Sequence, residues 1–200
     1  MFNIKQFIQA ILSAALLVVS YIPVISQWMG PMVLPIAVYI IALCFKYPEF
    51  RPLQFNLLLY NPRLLAGRII SFIGLIIFLT AFIQLVISRR KPVSQGLYNI
   101  VRHPQYLGLN LFSLGLAVMS IQYTGFNTSM LTIWLLQALG YITLALYEER
   151  SLVKQYGLAY RMYRENVPFM IPLLKVRSRL EPLITIIILY IIGFIITLLF

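Results

Sequence analysis

Aspartate is absent from the 200 residues, and the only acids are Glu49, Glu148, Glu149, Glu165 and Glu181. That excludes Asp-based metal motifs and a Ser-His-Asp triad. Histidine and cysteine occur once each, as His103 and Cys44. Zinc sites draw three or four ligands from such residues, so no metal is expected. A lone cysteine in an apolar run forms no internal disulfide and reads as a small buried residue. No Gly-x-Gly occurs anywhere, so a Rossmann-type cofactor loop is excluded. Charge is scarce too: 10% of residues carry it, against about 25% in soluble domains.

What fills the chain is apolar. Hydrophobic residues make up 61%, in runs long enough for spans of about 20 residues. The expected fold is all-α: a polytopic membrane helix bundle of about six transmembrane helices with a cytoplasmic segment. The spans fall near 6–25, 31–45, 69–87, 105–122, 129–147 and 183–200. Gln27, Trp28, Gly30 and Pro31 mark a turn between the first two. No small-x-small cleavage site follows the first run, so it reads as a retained helix. Three regions result: an N-terminal membrane hairpin and loop (1–68), a core of three spans with a cytoplasmic amphipathic helix (69–182), and a final span (183–200).

The net charge of +11 points in such a chain to anionic lipid headgroups, not to nucleic acid. Segments 88–104 and 148–182 hold 4 and 7 of the 16 Lys and Arg. A helical hairpin joins them, so they share one side, which the positive-inside rule makes the cytoplasm.

Two segments there carry polar groups. In the first, Gly96 to Gly108, Pro104 suits the first turn of a helix and sets Arg102 and His103 at its entrance. A helix N-terminus beside an arginine can hold a carboxylate or phosphate. Gly108 and Gly115, seven apart, allow a helix or a ligand to approach the backbone. The second begins at Glu148-Glu149-Arg150, where the fifth span leaves the membrane. A helix C-terminus disfavours carboxylates, so the helix should continue into the cytoplasm. On it Glu149, Leu152, Val153, Tyr156, Tyr160, Tyr163 and Val167 share one stripe, and Gly157 weakens or bends it. Without further knowledge, both segments also suit a surface helix and loop with snorkelling bases. Glu148 and Glu149 point about 100° apart, leaving open which faces inward.

The run Gly96-x-Tyr98-x-x-Val101-Arg102-His103-Pro104-x-Tyr106-x-Gly108 resembles the core motif of the isoprenylcysteine carboxyl methyltransferase and phospholipid N-methyltransferase superfamily. Glu148-Glu149-x-x-Leu152-x-x-x-Tyr156-Gly157-x-x-Tyr160-x-x-Tyr163-x-x-x-Val167-Pro168 resembles its second motif. The resemblance implies an integral membrane methyltransferase using S-adenosyl-L-methionine, with its active site on the cytoplasmic side. By that analogy Tyr98, Arg102, His103, Tyr106 and Gly108 line one wall of the cofactor site, and Glu148, Glu149 and Tyr160 the other. Arg102, His103 and Glu149 are the candidate catalytic groups, and Arg161 or Arg164 is the cation that would position an acceptor carboxylate. The expected partner is a lipophilic substrate entering from the bilayer, among membrane lipids. A prenylcysteine-like carboxylate is the first acceptor, a phosphatidylethanolamine amine the alternative, and small thiols or other hydrophobic metabolites a third class. A non-catalytic transporter or scaffold subunit is the reading of another kind. Against a transport path, ionisable residues are absent from the span centres.

Overall fold

A computed structural model describes residues 26–46, 60–88, 94–124, 128–174 and 180–199. These form five α-helices: α1 Ser26–Lys46, α2 Leu65–Ile87, α3 Pro104–Thr124, α4 Thr128–Asn166 and α5 Glu181–Leu199. Short 3-10 turns at Pro62–Leu64 and Gly96–Asn99 precede α2 and α3. Among the described residues there is no strand. Pro62–Ile87, Pro104–Tyr123 and Ser129–Asn166 are long and apolar enough to cross a bilayer, while Gly30–Lys46 and Glu181–Ile196 are shorter apolar helices. The described residues therefore hold three full candidate spans and two shorter apolar helices, against six spans expected. The span expected at 6–25 lies outside the described residues.

Two expected boundaries move. The turn placed at Gln27–Pro31 is helical, because α1 begins at Ser26 and carries Pro31 and Pro35 within it. Prolines are tolerated within apolar membrane helices. Between the two prolines the Tyr141 hydroxyl of α4 donates to the Met32 carbonyl at 3.2 Å. The third span starts at Leu65 instead of 69, because Arg68 is accommodated inside the helix. Its Nη2 donates back to the Asn61 carbonyl at 2.9 Å, while the Asn61 side chain accepts from the Arg63 amide at 3.0 Å and caps the preceding turn.

The tightest packing joins α2 to α3. Gly67 and Gly74 face Gly115 and Gly108, and a Cβ on Gly108 would stand 2.5 Å from the Phe78 backbone nitrogen. Small residues let the two backbones touch, as membrane helices require when lipid competes for every apolar side chain. Ser71 Oγ adds a bond to the Phe112 carbonyl at 3.0 Å. The opposite face of α2 is exposed and apolar, including Ile69, Phe72, Ile76 and Ile83, which suits contact with lipid. The long apolar helices with such outer faces mark an integral membrane protein.

Between α3 and α4 the interior holds polar groups that bond across the helices. Gln137 Nε2 donates to Ser113 Oγ at 2.9 Å, and Trp134 Nε1 to the Asn110 carbonyl at 2.9 Å. Around them Tyr39, Leu43, Val118, Met130 and Trp134 form one apolar core. A second core of Met32, Tyr106, Leu109, Tyr141, Ala145, Phe169 and Met170 lies under the candidate site.

Candidate active site

The local sequence before α3 explains how its polar groups are aimed. Gly96 takes φ +62°, a conformation open to glycine, and lets the chain turn from α2 into Gly96–Asn99. Gln84 Oε1 accepts from the Leu97 amide at 3.0 Å and ties that turn to α2. The Tyr98 hydroxyl reaches the Ala81 carbonyl at 3.4 Å. Burial pushes the Tyr98 phenol above its ordinary range, so it stays protonated.

The second motif closes on the first through the backbone. α4 is 39 residues long and bends at Gly157, where φ is +55° and ψ −122°. Beyond the bend the Tyr163 hydroxyl donates to the Tyr98 carbonyl at 2.6 Å. The Arg102 and His103 amides then donate to the Pro168 and Phe169 carbonyls at 2.8 and 3.2 Å. The two motifs, some sixty residues apart in sequence, are thus stitched by main-chain bonds that depend on no side chain.

At this seam lies a buried charged cluster. Arg102 Nε is 3.0 Å from Glu149 Oε1, its Nη1 donates to the Arg164 carbonyl at 2.7 Å, and its Nη2 donates to Glu181 Oε2. The guanidinium also stands 5.5 Å from the centre of the Phe169 ring. His103 Nε2 is 3.3 Å from Glu149 Oε1, and its Nδ1 is 3.6 Å from Glu148 Oε2. Both glutamates left open by the helical angle therefore face the histidine, one at each ring nitrogen. The ring stacks on Tyr106 at 5.6 Å and meets the Phe169 edge at 5.2 Å; Tyr106 in turn stacks on Tyr141 at 5.4 Å.

Burial alone would lower the His103 pKa, but the hydrogen bonding and negative charge of Glu148 and Glu149 outweigh it and hold it above 6.5. A raised folded-state pKa means stability that is full below the unfolded value and is lost as pH rises through the folded one. Thermal unfolding of the purified protein should therefore show a stability loss on the alkaline side of 6.5, and His103→Gln should flatten it. An unchanged profile in that variant would refute the assignment.

Of the expected site residues, the structure gathers Tyr98, Arg102, His103, Tyr106, Glu148, Glu149 and Tyr160, all buried except the half-buried Glu148. Two do not join them. Gly108 is turned to α2 with no room for a ligand, so its role is helix packing and not cofactor approach. Arg161 is exposed, while Arg164 lines a cleft of about 640 Å³ with Leu146, Tyr147, Glu149, Arg150, Lys154 and Pro182. Three residues leave the two side chains only about 60° apart on the helix, so the packing beyond the bend at Gly157 separates them and the period alone does not. Glu181 went unanticipated, although a single carboxylate opening an apolar run is a signal that could have found it.

Residues 65–159 match the phospholipid methyltransferase family. The match covers just under half of the chain and places the resemblance with that superfamily of membrane methyltransferases. Protein-S-isoprenylcysteine O-methyltransferase of Schizosaccharomyces pombe is 32% identical over 98 residues, covering 47% of this chain and 40% of the relative. Methanethiol S-methyltransferase 2 of Bradyrhizobium diazoefficiens is 35% identical over 95 residues, covering 47% of this chain and 32% of the relative. The chain thus spans well under half the length of both. No solved structure matches it. The matched segment contains Tyr98, Arg102, His103, Glu148 and Glu149, whereas Tyr160, Tyr163, Phe169 and Glu181 close the cluster from beyond it.

Proposed function

We propose that the chain transfers a methyl group from S-adenosyl-L-methionine to the carboxylate of a lipophilic, prenylcysteine-like acceptor, on the cytoplasmic side of the membrane. The observation that carries this is the cleft beside the buried cluster. At about 640 Å³ it falls among small-molecule sites, and Glu149, Arg150, Lys154 and Arg164 share its wall with Leu146, Tyr147 and Pro182. The residues present fit the cofactor. Arg164 Nε is buried without a hydrogen-bond partner, leaving a donor for the ligand's carboxylate. The Arg102 fork is filled by Glu149, Glu181 and the Arg164 carbonyl. The cofactor carboxylate therefore falls to Arg164 or Lys154, and its ammonium or ribose to a glutamate.

When bound, S-adenosyl-L-methionine supplies an electrophilic methyl on a sulfonium. The chain's own residues position the acceptor and exclude water. A carboxylate is already ionised and needs no base. An amine acceptor would need a base, and His103 and the two glutamates are already turned to one another. A cation suffices to align a carboxylate, and Arg164 meets that need where Arg161 does not. The acceptor's tail is accommodated along the α4–α5 seam, where Leu135, Ala138, Leu139, Ile142, Ile186, Leu189 and Tyr190 line an apolar hollow of about 110 Å³. Leu146 and Pro182 of the cleft lie one turn from Ile142 and Ile186 on the same two helices.

The test is methyl transfer from labelled S-adenosyl-L-methionine by the purified protein in lipid, with a prenylcysteine analogue, a phosphatidylethanolamine and a small thiol offered in parallel. Label released by mild alkali as volatile methanol supports the carboxyl ester. Label retained in the lipid or thioether would replace the acceptor with an amine or thiol. No transfer and no cofactor binding would leave a non-catalytic protein. Arg164→Ala should lower kcat/KM at least tenfold, the loss of one charged hydrogen bond of about 1.5–3 kcal/mol, while Arg161→Ala changes it less than about twofold.

A further inference from the structure

Glu181 stands outside the matched segment, 79 residues from Arg102 in sequence, yet its carboxylate is bonded to the Arg102 guanidinium. Only 2% of the residue is exposed. It opens α5 ahead of Pro182, a favourable place for a carboxylate because the helix dipole and free amides are there. The carboxylate is nonetheless turned to Arg102, while Thr185 Oγ1 secures the Glu181 carbonyl at 2.7 Å. The rest of α5 presents Leu183, Ile187, Ile191 and Phe194 outward. Apolar surfaces slide past one another cheaply, so this polar contact sets the register of α5 against the site.

The charges give Glu181 a second consequence. Glu148, Glu149 and Glu181 face Arg102, His103 and Arg164 across the cluster. Arg102 and Arg164 bring the fixed positive charge of this set, and Glu148, Glu149 and Glu181 oppose it. Arg150 and Lys154 add positive charge at the exposed rim. Removing Glu181 takes one negative charge from the set and makes the site less favourable to a cation.

We infer that Glu181 is a positioning residue that, through Arg102, sets the charge of the cofactor site so that it favours a sulfonium nucleoside over the uncharged thioether left after methyl transfer. This rests on the methyltransferase reading above. α5 is then part of the site, and not an accessory anchor.

Binding of S-adenosylmethionine and of S-adenosylhomocysteine to the full chain in lipid nanodiscs, measured by calorimetry, tests it. Glu181→Gln keeps the shape and removes the charge. It should lower the affinity ratio of sulfonium over thioether about tenfold, the scale of one unit charge acting across a partly buried site. Glu181→Asp retains the charge and should keep most of the ratio. It carries the test if the glutamine variant does not fold. Equal weakening of both ligands in Glu181→Gln, or the same ratio loss in Glu181→Asp, would overturn the inference and leave Glu181 a structural anchor. If the wild-type chain binds neither nucleoside, the methyltransferase reading fails, and this inference with it.

Discussion

Arg102→Met is expected to destabilise the protein by about 3–5 kcal/mol and to abolish cofactor binding. Arg102 is 3% exposed, and the edges of its guanidinium serve two places on α4 and one on α5. Nε meets Glu149 on α4, Nη2 meets Glu181 on α5, and Nη1 meets the Arg164 carbonyl near the end of α4. Removing the cation leaves Glu181 without its ionic partner and Glu149 with His103 alone, and an uncompensated buried charge costs far more than the pair contributes. Lysine does not rescue, because a point charge cannot serve three directions at once. Adding Glu149→Gln to Arg102→Met should recover part of the loss, since it removes one charge that has lost its guanidinium partner. Chemical unfolding of the single and double variants gives this directly. A double variant no more stable than the sum of its parts would show that the charges are not coupled.

Gly108→Val is expected to be the other severe lesion, costing about 3 kcal/mol, at the upper end of overpacking penalties. The new Cβ would stand 2.5 Å from the Phe78 nitrogen and 2.8 Å from both the Gly74 carbonyl oxygen and the Phe78 Cα. All three are backbone atoms that no rotamer change can clear. Relief requires moving α2 bodily away from α3. That would draw Gln84 from the Leu97 amide and Ala81 from the Tyr98 hydroxyl, loosening the turn that aims Arg102. Two glycines serve as controls. At Gly140 a Cβ meets nothing closer than 3.6 Å, and at Gly30 nothing lies within 4 Å. Alanine there should be neutral or stabilising by up to about 1 kcal/mol through helix propensity. Thermal melts and size-exclusion profiles in detergent separate the cases. A well-folded Gly108→Val would refute the close packing.

The legible parts of the site share one property: their residues lie close together in sequence. Tyr98 to Tyr106 can be read as one turn and helix entrance, and Glu148 to Tyr163 as one helical stripe, because local spacing fixes which side chains share a face. The glycine pair at 108 and 115 was readable as a close approach, but not as an approach to α2, since its partners Gly67 and Gly74 lie over thirty residues away. Arg161 and Arg164 could not be separated by pattern, because the bend at Gly157 resets the helical phase after it. The start of α2 was misplaced because Arg68 argued for a loop, and only its bond back to Asn61 explains its place in a helix.

By itself the sequence determined that the chain is helical and built for a membrane, and that Arg102, His103 and the Glu148–Glu149 pair are its scarce polar resource. These follow from composition and short-range periodicity, which depend on no distant contact. Only the tertiary structure decided that both glutamates flank the histidine, that Gly108 serves packing, that Arg164 and not Arg161 meets the cleft, and that Glu181 completes the cluster. Each of those depends on where the chain returns after a long separation, and a buried charge takes its partner from whichever element the packing brings beside it.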